Sequence, residues 1–83
     1  MKKITISIDG KLNEKKAMEI RTSLNDLSGV VAADVVVLDA KAYAYAGDKL
    51  NPGVVLRKVH EAGSSASIVK EEYISDIEEF KRS

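Results

Sequence analysis

The strongest constraint on this chain is the order in which its hydrophobic period changes. Residues 2–8 alternate, with Ile4, Ile6 and Ile8 on one face and Lys3, Thr5 and Ser7 on the other, the period of two expected of a half-buried strand. Asp9-Gly10 ends that run. From about Asn13 to Leu27 the spacing becomes three and four, through Ala17, Ile20, Leu24 and Leu27, which is one apolar stripe of a helix. Asn13 is placed to cap it, and Ser28-Gly29 to close it. Val30 to Leu38 is rich in β-branched residues and reads as a strand. Asp39 to Lys41 forms a turn, and residues 42–46 return as the second arm of a hairpin. Asn51-Pro52 opens a second helix, with Asn as cap and Pro at its first position. Val55, Leu56, Val59 and Ala62 form its stripe, and Gly63 stops it. Ser65 to Lys70 is a last strand. Tyr73, Ile77 and Phe80 recur at four and three, so residues 71–83 are expected to form a short amphipathic helix.

The order is therefore β-α-β-β-α-β with a C-terminal helix. Two βαβ halves with right-handed crossovers interlock into a four-stranded antiparallel sheet carrying both helices on one face. The expected class is α+β, with a ferredoxin-like fold over residues 1–70 and a helical extension over residues 71–83. A flatter α+β arrangement, with the tail helix completing the core, uses the same elements. At 83 residues there is chain for one core and not for two.

Composition removes whole classes of function. There is no cysteine, so disulfides, thiolate metal sites and cysteine nucleophiles are excluded. Thirteen Lys plus Arg balance thirteen Asp plus Glu, and a binder driven by phosphate attraction needs a basic surplus. No stretch approaches the roughly 20 apolar residues that span a bilayer, and the alternating start is not a secretory signal. The expected setting is the cytoplasm, without membrane insertion. His60 is the only histidine, so no Ser-His-Asp set can be assembled. No phosphate-binding loop occurs. Arg21, Arg57 and Arg82 are not placed to cradle an acyl phosphate, and the Glu71-Glu72 and Glu78-Glu79 runs read as solvated faces. The chain is expected to be no enzyme and to need no cofactor.

The scaffold residues resemble a known family, the heavy-metal-associated domains of copper chaperones and metal-transporting P-type ATPases. The resemblance covers about residues 2–70. Gly10 and Ile20 fall where the family has the Gly and Ile that flank its Gly-Met-Thr-Cys-x-x-Cys loop. Leu24, Leu27, Gly29 and Val30 continue the pattern, Asn51-Pro52 is similar to its Ser-Pro, and Ala62-Gly63 is similar to its Ala-Gly. The departures sit at the functional positions. Asn13 and Lys16 occupy the places of the two metal-binding cysteines, Lys11 that of the Met, and Ser64 that of an aromatic residue found in many members.

Asn offers a neutral amide oxygen, and an ammonium group offers no lone pair and adds a positive charge. Neither replaces a thiolate, the soft ligand that suits Cu(I) or Zn(II). Met1, Met18 and His60 remain as soft donors, but this fold does not bring them together, and Met18 reads as packing.

The resemblance implies a non-enzymatic module linked to transition-metal handling, here with its metal site lost and working through protein contacts or regulation. A metal-transport protein is the partner it implies. A weak, non-thiolate metal binder is a second reading. The candidate partner-binding residues are Lys11, Lys15 and Lys16, because docking in this family relies on complementary charge near the metal loop, with Lys2 and Lys3 nearby in sequence.

Tyr43 and Tyr45 are the other candidates, directed outward with Val36 and Leu38 on the sheet face away from the helices. The tail helix covers that face, or a protein partner does, or a swapped tail makes a homodimer in place of a monomer. Stacking of RNA bases on the two tyrosines is a third class of function, opposed by the neutral charge and by Thr5 and Ser7 on the first strand.

Overall fold

Residues 1–74 are described in the computed structural model, and their elements follow the expected order. They are β1 (Lys2–Ile8), α1 (Glu14–Asn25), β2 (Val30–Val36), β3 (Lys41–Ala46), α2 (Pro52–Glu61) and β4 (Ala66–Tyr73). The four strands form one antiparallel sheet in the order β2-β3-β1-β4. This is the ferredoxin-like arrangement, with the first strand central and the second at an edge.

Both helices contribute to a single core on one face of the sheet. Ile4, Ile6 and Ile8 of β1 and Ala42 and Ala44 of β3 meet Ile20 and Leu24 of α1 and Val55 and Val59 of α2. The two alanines matter because they carry almost no side chain at the middle of the sheet, which lets the helices settle close to it. Among the described residues, no helix is long and apolar enough to cross a membrane.

Helix starts coincide with the caps read from sequence. Asn13 Oδ1 accepts from Lys16 N at 2.7 Å, and Asn51 Oδ1 accepts from Gly53 N at 2.8 Å, each satisfying a first-turn amide that has no helical partner. The end of α2 is closed by Ser64 N donating to Val59 O at 3.3 Å and Gly63 N donating to His60 O at 2.9 Å. Gly63 sits at φ 93°, where a side chain would be strained.

Three expectations need correction. The β2–β3 hairpin turns two residues early. The ladder closes at Val36↔Lys41, Ala40 takes φ 51° and donates its amide to Val37 O at 3.2 Å. Leu38 therefore lies in the turn rather than on the strand.

Residues 71–73 are strand and not helix. Glu71, Glu72 and Tyr73 pair with Ile4, Lys3 and Lys2, because the start of β1 has backbone groups to satisfy and β4 is the chain available to satisfy them. A register shift between Thr5 and Ile6 re-aims the last residues of β4, so that Glu71 Oε1 lies 3.6 Å from Lys2 Nζ. The remainder of the expected tail helix, with Ile77 and Phe80, lies outside the described residues.

Met18 is not packing, because it is 64% exposed on α1. It stands one position beyond the buried stripe of Ala17, Ile20 and Leu24.

Candidate functional site

The loop from Asp9 to Asn13 and the first turn of α1 lie beside the end of α2. At the position where the resemblance places a first metal-binding cysteine, Asn13 is committed to capping α1 through its Oδ1. At the second position, Lys16 reaches across to α2. Its ammonium donates to Ala62 O at 3.0 Å and lies 3.3 Å from Glu19 Oε2, one helical turn along.

The Ala62 carbonyl has a physical reason to receive it. At the end of α2, the carbonyls of Lys58, Val59 and His60 are taken by Ala62, Ser64 and Gly63 amides. Ala62 O lies just past them, at the partially negative pole of the helix, where a cation is favoured. Gly63 makes room for this contact. A Cβ built on it would sit 3.0 Å from Lys16 Nζ, with no other atom as close. Glycine is thus required there for its backbone conformation, and a side chain would also press on the ammonium, the mobile end of Lys16.

These residues do not suit a metal ion. The position of one donor is a capped amide, and that of the other is a fixed positive charge. Among the described residues, no group of three or more His, Cys, Asp or Glu could hold one. His60 is exposed on α2, with Nε2 3.2 Å from Ala66 O.

The basic residues separate into two places. Lys11 and Lys15 are exposed at the loop and the first turn of α1, whereas Lys16 is half-buried and bound. Lys2 and Lys3 belong to the far end of β1 and do not join the loop lysines. Lys2 is buried, donating to Leu50 O at 3.2 Å.

Tyr43 and Tyr45 face away from the helices, with Lys3, Asp34 and Val36 around them. Lys3 Nζ stands 5.1 Å from the Tyr43 ring centre and 5.9 Å from that of Tyr45, within the range of cation–π attraction. Tyr45 keeps only 1% of its exposure, so of the two rings Tyr43 is the one that presents surface.

The contact between Lys16 and Ala62 had no signal in the sequence. Its partners lie 46 residues apart, and the acceptor is a backbone atom that any residue could supply.

No protein-family model and no curated protein matches the sequence. Solved structures do match the fold. A copper binding domain from HMA7, a P-type ATPase, superposes with a TM-score of 0.81 at 23% identity, covering 88% of this chain and 100% of that one. The yeast copper transporter domain CCC2A, solved in apo and Cu(I)-loaded states, gives 0.78 at 14% identity over 84% and 97%. Oxidised MerP from Ralstonia metallidurans CH34 gives 0.76 at 18% over 84% and 100%. At these identities the likeness is one of fold, and it is the heavy-metal-associated fold to which the scaffold residues pointed.

Proposed function

We propose that this chain is a non-enzymatic module of the heavy-metal-associated type in which a lysine has taken the place of the bound metal, and that it works through protein contacts. The observation that carries this reading is the 3.0 Å bond from Lys16 Nζ to Ala62 O. The Lys16 ammonium brings a positive charge to that position and ties the first turn of α1 to the end of α2. The two positions where the resemblance places metal-binding cysteines are instead a cap and a staple.

Lys11 and Lys15 give the loop end its outward charge. They suit a negatively charged protein surface of the kind that a metal-transport partner would present, with association favoured by charge complementarity and weakened by salt. The RNA reading has less support, since burial of Tyr45 leaves one accessible ring where base stacking needs a platform.

Titration of the chain with Cu(I) and with Zn(II), followed by calorimetry, tests the proposal. The expected result is no stoichiometric site tighter than about micromolar, which in free energy is about 8 kcal/mol. A single tight site would overturn it.

A further inference from the structure

The two edges of the sheet differ in how they are protected. β4 carries Lys70, Glu71 and Glu72 and is irregular against β1, and charge and irregularity discourage association at an edge. β2 reads Val-Val-Ala-Ala-Asp-Val-Val, with Asp34 its sole charge and its own register shift confined to its first residues. Val31 is 59% exposed and Leu38, in the turn that follows, 97%. Met18 of α1 is 64% exposed, and on β4 Val69 and Tyr73 are exposed as well, at 56% and 72%.

Between α1 and β2 runs a cleft of about 190 Å³, lined by Glu14, Ala17, Met18, Arg21, Val35 and Val37. Glu14, Met18 and Arg21 stand at i, i+4 and i+7, so they form one stripe along the helix. Its charges are antisymmetric, acid at one end, base at the other and an apolar side chain between. Neither Glu14 nor Arg21 joins an ion pair among the described residues.

A stripe of this kind complements itself. A two-fold axis passing by Met18 sets two α1 helices antiparallel, brings Glu14 of each copy against Arg21 of the other, and leaves the two Met18 side chains over the paired clefts. This is the isologous contact expected of a symmetric dimer, in which the same patch serves both copies. We infer that the α1–β2 flank is an interface for a second copy of this chain.

Charge reversal tests it without touching the core. Glu14→Arg gives a stripe with two bases, and Arg21→Glu gives one with two acids. Sedimentation equilibrium over a concentration series should show the native chain associating to a dimer. Each variant alone should dimerise at least about tenfold more weakly, since two attractive pairs become repulsive ones. An equimolar mixture of the two variants should recover the native association, because each then meets its complement. Circular dichroism of each variant serves to show that the fold is kept. A native chain that stays monomeric throughout the series would overturn the inference. So would a dimer that neither reversal weakens, or a mixture no tighter than its components.

Discussion

Replacing Lys16 by Met removes the ammonium and keeps an unbranched stem of similar length. Three contributions are lost. The bond to Ala62 O involves a charged donor, a type worth about 1.5–3 kcal/mol when well shielded. The Lys16 side chain is 33% exposed, so water competes and the lower end applies. The favourable placement at the α2 terminus adds about 0.3–1 kcal/mol, and the pair with Glu19 adds about 0.2–0.5 kcal/mol. These overlap, because one ammonium makes all three, and Met can bury its thioether in partial return. The expected net loss is about 1–2 kcal/mol, which for a domain of this size lowers Tm by about 4–8 °C per kcal/mol. Urea denaturation followed by far-ultraviolet circular dichroism measures it. Lys15→Met is the control, since Lys15 is an exposed neighbour whose loss should stay within about 0.5 kcal/mol. If the two variants unfold together, the contact between Lys16 and Ala62 is not holding the loop to α2.

Gly63→Ala should cost more than a surface substitution, about 1–3 kcal/mol, because it combines strain at φ 93° with a Cβ pressed against Lys16 Nζ; combining it with Lys16→Met should recover part of that cost, and denaturation of the three variants checks the coupling. The double variant Asn13→Cys/Lys16→Cys should gain one stoichiometric Cu(I) site visible by calorimetry, since the resemblance places the family's two cysteines there and the overall fold is similar to that of copper-binding domains. Leu24→Ala should lose about 2–5 kcal/mol in the same urea assay, because Leu24 is fully buried between the helices and the sheet.

How far the sequence led depended on the range of the interactions involved. The alternation of Ile4, Ile6 and Ile8 and the stripes of the two helices are local patterns, and they fixed the element order. Asn13, Asn51 and Gly63 act on backbone groups within three residues, so their roles were visible without the fold. Tyr73 shows the limit. Its spacing from Ile77 and Phe80 fits a helix, yet its backbone is claimed by Lys2, 71 positions away, and a ladder partner outweighs a short periodic pattern. Met18 failed for a smaller reason, since one residue of helical rotation, about 100°, separates the buried face from the exposed one. Of the candidate site, the absence of thiolate chemistry was plain from the absence of cysteine. Where the Lys16 ammonium binds was not, because a lysine stem spans several ångströms and nothing in its neighbours says where it lands.

The most direct measurement is a nuclear magnetic resonance spectrum selective for lysine Nζ–H groups, recorded at mildly acidic pH with and without Zn(II). An ammonium held against a carbonyl exchanges its protons with water slowly enough to be seen, whereas those of exposed lysines do not. The account predicts a resolved Lys16 signal, absent in Lys16→Met, that stays in place when the metal is added. A Lys16 ammonium exchanging as fast as those of Lys11 and Lys15, or one displaced by stoichiometric Zn(II), would contradict it.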